Sequence, residues 1–373
     1  MKTGKQLTIL WLALLLTSAF SVFSQEKTFT IQKENWASPQ KLQGNNGCQI
    51  FSMVSFFESE IFRTSGRKME LSQMYLFYHV FIEKTDRYLR LRGTQTYSTG
   101  GLFDDAIYTM NKYGIVPLSD YVGNRNDKGY YEHGPLYGEF EYGFLPKLMK
   151  KAENHELNIQ WQKGVATRPW ETEIRSMQDR HLGKLPAEIS YNGKTYTPLS
   201  FAKEVVNLQL GDYIKLTSFS EMPFYQPGTL YVKDNWLSKS DFYSLPLEQF
   251  METIDFAVSN GFTLAIDLDY TVDILKNPVN YVDFSENEPV TQNERDEMLS
   301  NWFTKDVHLV HLTGVATDEN GKKYYVIKDS VGENLGVVTK KYLSKNFVKG
   351  KVLAVILHKD GIPAAIKKQL ALQ

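Results

Sequence analysis

The stretch that most narrows what this chain can become is residues 43–60. There a glycine-bearing turn, Gln43-Gly44-Asn45-Asn46-Gly47, runs directly into an apolar helical pattern. Ile50, Phe51, Met53, Val54, Phe57 and Ile61 recur at helical spacing, so this segment forms a helix with an apolar face to bury. At its head stands Cys48, the only cysteine of the chain. The first N–H groups of a helix lack intrahelical partners and carry the positive end of its dipole, and a thiolate placed there is stabilised and reactive. A free cysteine also packs as a small hydrophobe, and that structural role is the reading a reactive one must displace.

Composition limits the rest. With 373 residues, 42% of them hydrophobic and 23% charged, the chain can bury a full core as one large domain or two lobes, which excludes a disordered protein. The formal charge is −1, with neither a basic stripe nor an acidic tail, and no nucleic-acid partner is indicated. Residues 1–24 read as a signal peptide: Lys2 and Lys5 precede an apolar run at 7–16, and Val22 and Ser24 satisfy the small-residue cleavage rule before Gln25. The run is short for a membrane span, so no stable membrane insertion is expected after its removal; a single N-terminal anchor is the alternative. The mature chain, with 40 basic and 43 acidic residues once Lys2 and Lys5 are gone, is then exported to a bacterial periplasm or the extracellular space. One cysteine makes no internal disulfide, and a lone thiol in an oxidising compartment is a liability unless buried or used.

Along the mature chain the first third reads as helices. The Cys48 helix runs to Gly66, a second opens behind Ser72 as N-cap, and a third spans Phe103–Tyr113 between the Gly100-Gly101 turn and Gly114. Residues 25–121 are therefore expected as a helical lobe carrying Cys48. Residues 122–245 read as an accessory insertion, with a charged helix at 170–181 and a hairpin on Asn192-Gly193. Residues 246–373 turn to β character after a helix at 246–260: strands are expected at 262–268, 307–316, 324–328 and 351–358, before a helical tail at 364–372.

Of the seven histidines, position selects His308 as a base for Cys48. It starts the first strand of the terminal hairpin and Asp329 ends the second; symmetric pairing about Asp318 and Glu319 would set the two side by side. An acceptor beside an imidazole fixes its tautomer and leaves the other nitrogen for a thiol proton. His311 falls on the opposite sheet face and reads as a core or supporting residue, and Asp306 as a solvated residue at a strand start. No cluster with ligand spacing suggests a metal.

These residues resemble the papain-like cysteine peptidases. The match lies in Gln43-Gly44, Gly47-Cys48 and Phe51-Ser52 around the nucleophile, Leu71-Ser72-Gln73, the pair Gly100-Gly101, and Lys328-Asp329-Ser330-Val331-Gly332. The insertion at 191–224 and the tail His358-Lys359-Asp360-Gly361-Ile362-Pro363 are most similar to the bleomycin hydrolase/aminopeptidase C branch. The resemblance implies an α+β fold of two lobes, helical then β-rich, with the accessory insertion. It implies Cys48 as nucleophile, His308 as base and then acid, Asp329 as its orienter, and Gln43 with the Cys48 N–H as oxyanion donors. It further implies Gly100 and Gly101 along the substrate and the Gln373 carboxylate selecting free amino termini. The expected activity is an exported thiol aminopeptidase acting on peptides without a cofactor; whether it forms a homo-oligomer like that branch stays open. Three departures favour an alternative, an impaired relative that binds peptides or serves an interaction role. The Gln43–Cys48 turn is one residue short, Gln49 replaces the tryptophan after the cysteine, and Val331 replaces the tryptophan that shields the histidine.

Overall fold

The helical periods of the first third become three helices: α1 (Cys48–Ser65), α2 (Gln73–Arg90) and α3 (Phe103–Tyr113). Their ends follow local chemistry. Gly66 closes α1 at φ 70, the Ser72 hydroxyl accepts the Tyr75 N–H (3.1 Å), and the Gly114 N–H reaches Met110 O (2.9 Å). The computed structural model describes residues 27–127, 129–162, 165–270, 279–284, 289–331 and 340–372. The expected signal peptide lies outside them, as does Gln373.

α1 is buried over most of its length, so its polar residues need partners within the protein. Glu58, fully buried, accepts from Lys41 Nζ and the Leu71 N–H (3.1 and 2.7 Å) and from the Ser38 hydroxyl, while burial raises its pKa. Glu83 on α2 similarly gathers Lys112 and Tyr108 from α3 (both 2.9 Å), the Tyr113 hydroxyl, and Arg168 (2.7 Å) from the segment ahead of α4 (Glu171–Leu182).

A ten-stranded sheet forms the second half of the core. Its strands in chain order are β1 (Phe29–Glu34), β2 (Tyr213–Thr217), β3 (Pro227–Gly228), β4 (Phe242–Ser244), β5 (Leu264–Leu268), β6 (Tyr281–Val282), β7 (His308–Asp318), β8 (Lys323–Lys328), β9 (Lys340–Ser344) and β10 (Val352–His358). In space they run β6-β9-β8-β7-β5-β10-β2-β4-β3, with β1 on the far half of β7. Pairing is antiparallel except for β4 with β2 and β6 with β9. The period of two then sorts the central strands. Ala265, Leu309, Ala354 and Ile356 join the core of the helical lobe, whereas Ile266, Val310, Val355 and Leu357 pack with α5 (Leu247–Ser259) and with Ile366 and Leu370 near the C-terminus. Arg295, on α6 (Gln292–Ser300), is fully buried and donates to Ser218 O, Lys349 O and Val352 O (2.7, 2.7 and 2.6 Å), pinning loops at the sheet's end.

The accessory boundary at 245 needs correction, because β2, β3 and β4 belong to the main sheet. They have five, two and three residues, too few for alternation to register before pairing supplies the context. The hairpin at 189–196 does form, with Asn192 and Gly193 at φ 50 and 74. Among the described residues no helix is long and apolar enough to cross a membrane.

Candidate active site

The turn into α1 is built for aiming a side chain. Asn46 and Gly47 both take positive φ (64 and 100), and a Cβ on Gly47 would come within 3.0 Å of the Phe77 ring. Cys48 follows, half-buried. The first bonds of the helix run from the Ile50 and Phe51 N–H groups to Gly47 O (3.0 and 3.3 Å), and the Cys48 N–H lies ahead of them at the helix mouth.

His308 opens β7 from the other lobe. Its Nε2 bonds Asp329 Oδ1 at 2.9 Å, and its ring lies close enough to Cys48 for the two to interact, with Nδ1 the nitrogen left free to face the sulfur. Burial opposes the imidazolium, but the charges of Asp329 and Cys48 and the hydrogen bonds to both outweigh it, raising the His308 pKa to about 10. The Asp329 side chain is wholly shielded from solvent. Its Oδ1 also accepts the Val331 N–H (3.0 Å), the Gln40 side chain donates to its backbone carbonyl, and its Oδ2 has no partner among the described residues.

The hairpin reaches this contact by a different register from the symmetric one. Thr317 pairs with Lys323 and Gly314 with Val326, an irregularity falls between Leu312 and Gly314, and His311 then pairs with Lys328. Continued, that register sets Asp329 opposite Val310, so His308 and Asp329 meet as diagonal neighbours. The longer turn, from Asp318 to Lys322, causes the shift. His311 points to α1, where its Nδ1 meets Ser55 Oγ at 2.8 Å, and burial followed by the Lys328 charge keeps it neutral.

The departures from the family pattern have local explanations. Gln49 reaches sideways, donating to Thr99 O (2.9 Å) and Asp105 Oδ2 (3.3 Å), and so ties the start of α1 to the Gly100-Gly101 turn. Val331 is 8% exposed, but the aromatic cover over the imidazole comes from elsewhere: Tyr270, fully buried, lies 6.0 Å from the His308 ring with the planes 19° apart. Sequence reasoning missed Tyr270. The available signal was its place two residues beyond Leu268, which pairs with His308.

Gln43 is buried beside this group, yet one of its amide N–H bonds goes to Ser330 Oγ (2.9 Å), leaving at most the other for an oxyanion. Gly100 and Gly101 are pressed against carboxylates: a Cβ would sit 2.1 Å from Asp234 Oδ2 at the first and 2.0 Å from Asp105 Oδ2 at the second. Asp306 is not solvated as expected. Its Oδ2 accepts the Asp234 N–H (3.2 Å) and its Oδ1 is buried. The described residues contain no group of three or more His, Cys, Asp or Glu arranged to hold a metal ion.

No family model matches the chain. It is similar to Aminopeptidase G of Lactobacillus delbrueckii subsp. lactis, with 23% identity over 363 residues covering 86% of this chain and 80% of that protein. Among solved structures it is similar to PepW of Lactobacillus rhamnosis HN001, with a TM-score of 0.68 and 18% identity over 92% of this chain and 85% of that one. Bromelain from Ananas comosus superposes more loosely, with a TM-score of 0.39 and 13% identity over 87% of this chain and 98% of that one.

Proposed function

We propose that this chain, whose mixed α+β fold is that of the papain-like cysteine peptidases and whose resemblance is to the bleomycin hydrolase/aminopeptidase C type, is a cysteine aminopeptidase. The observation that carries the reading is one imidazole held between the Cys48 sulfur and a carboxylate sealed from water. In the reaction the Cys48 sulfur attacks the carbonyl carbon of the substrate, and its proton resides on His308. The negative charge on the carbonyl oxygen is met by the Cys48 N–H and the second Gln43 N–H. As the C–N bond breaks, His308 returns the proton to the departing amine, leaving a thioester on Cys48. Water, deprotonated by His308, then cleaves the thioester and frees the acid. Asp329 stabilises the imidazolium in both half-reactions.

The aminopeptidase part of the reading is supported by similarity to Aminopeptidase G over most of both chains. The leader-like residues 1–24 support export, and peptides are the proposed partners. Rapid-quench mass spectrometry of the mature protein with an aminoacyl ester tests the mechanism: an added acyl mass on the Cys48 peptide is expected, and hydrolysis without that adduct overturns it. The engagement of Gln43 with Ser330 favours one second reading, a peptide-binding relative with little turnover. Tight peptide binding with no adduct would select it.

A further inference from the structure

Four carboxyl groups gather beside Cys48, and one buried lysine answers them. Asp105, on α3, is well met: it accepts from Trp236 Nε1 (2.6 Å) and Gln49 Nε2 (3.3 Å) and lies 3.9 Å from Lys84 Nζ. Lys84 in turn donates to Ser98 O (2.9 Å) and to Gly100 O. The other three acids are not so served. Asp267 shares with Ala265 the α1-facing side of β5 and is 0% exposed, and neither of its carboxyl oxygens receives a donor from any described group other than Asp306. Asp306 sits close enough to form a side-chain hydrogen bond with it, which two carboxyls make only by sharing a proton. Asp306 also accepts the Asp234 N–H, and the Asp234 carboxylate closes over Gly100. Among the described residues no ion pair reaches Asp234, Asp267 or Asp306.

The mechanism above uses none of these groups, although the Cys48 charge acts directly on Asp267 and Lys84. Resting on the peptidase reading of Cys48, we propose that Asp234, Asp267 and Asp306 form a pocket beside the nucleophile that receives a positive group of the substrate, either its α-ammonium or the head of a lysine or arginine side chain. A cation there would donate charge-assisted hydrogen bonds to the Asp267 oxygens and Asp306 Oδ1, which receive no N–H donor, and would replace the shared proton. Burial, and then mutual repulsion, raise the Asp306 pKa to about 7 and hold Asp267 well above the usual carboxylate range. The charged groups facing the pair are Asp234 and Lys233 from one loop, Asp105 from α3, Lys84 from α2 and Cys48 from α1. Cation binding therefore releases a proton and tightens between pH 6 and pH 8.

Calorimetric titration of the Cys48→Ala protein reads this without turnover. Three ligands separate the sources: leucyl-leucinamide with its free amine, the N-acetylated form, and N-acetyl-lysyl-leucinamide, whose only cation is the side chain. The account expects one of the cationic ligands to bind on the order of 10- to 100-fold more tightly than the neutral one at pH 8. That advantage should shrink at pH 6 and be lost in Asp267→Asn. Asp306→Asn, at a less buried position, should show the same loss if the first variant folds poorly. Which cation wins identifies the source. Equal affinity for all three ligands, no binding by either cation, or an advantage untouched by both Asn variants overturns the proposal. Because binding is measured without the nucleophile, an inactive wild-type protein that keeps the preference would sink the peptidase reading and leave the pocket standing.

Discussion

Replacing Asp329 by asparagine keeps a hydrogen-bond acceptor beside His308 Nε2 and removes the charge. The two groups are 2.9 Å apart and the carboxylate is sealed from solvent, so little screening intervenes. Two unit charges about 4 Å apart at an effective dielectric constant of about 20 attract by about 4 kcal/mol. At about 1.4 kcal/mol per unit, that corresponds to a fall of about 3 pKa units. His308, which titrates at about 10 with Asp329 and Cys48 in place, should then titrate near ~7 in Asp329→Asn. The linkage has a definite sign. A raised histidine pKa stabilises the folded state below the unfolded value of about 6.5 and loses that contribution as pH rises toward 10. Wild-type stability should therefore decline across that window, and the variant's decline should be much smaller. Imidazole ¹⁵N shifts followed against pH measure the titration, and urea unfolding measures the stability. A His308 titration in the variant within half a unit of wild type would show that Asp329 does not hold the charge, and the reasoning would fail.

Tyr270→Phe should be neutral or slightly stabilising, since the buried hydroxyl has no partner among the described residues. Tyr270→Ala should lower stability by about 3–5 kcal/mol and admit water to the His308–Asp329 bond; thermal melts that rank the two variants the other way would contradict the shielding role. For Glu83→Gln the loss depends on pH. Although burial opposes ionisation, Arg168, Tyr113 and Lys112 bring Glu83 down to about 2, so its contribution of about 2–3 kcal/mol is present above about 4.5 and fades toward pH 2. A difference from wild type that stays constant between pH 7 and pH 2.5 would refute this. Arg295→Met should cost about 3–5 kcal/mol in chemical denaturation by leaving buried carbonyls without donors, and a loss below about 1 kcal/mol would contradict it.

What the sequence made legible was local. The ends of α1 and α3 and the hairpin at 189–196 follow from glycines and Asn-Gly chemistry that act within a few residues. The meeting of His308 and Asp329 could be anticipated because strand ends place them, although its register could not. Gly314 lies where β1 crosses so closely that a Cβ would come 2.4 Å from Lys33 O, and the irregularity beside it depends on that distant strand. The acids at 234, 267 and 306 were illegible for the same reason. Each is a single residue on a separate segment, and they meet, with Tyr270 just beyond β5, only when β5, β7 and the loop at 234 pack against α1 and α3. Gln49 and Val331 read as losses because the compensating groups, Asp105 and Tyr270, are supplied by other elements.

The central claim is that Cys48 and His308 work as nucleophile and acid–base on an aminoacyl bond. Its most direct test is kcat/KM of the protein on aminoacyl-coumarin amides, beside Cys48→Ala and His308→Ala variants shown to be folded. The account predicts release of coumarin by wild type, none above background with Cys48→Ala, and a loss on the order of 100- to 10,000-fold with His308→Ala. Equal rates for wild type and Cys48→Ala would contradict it.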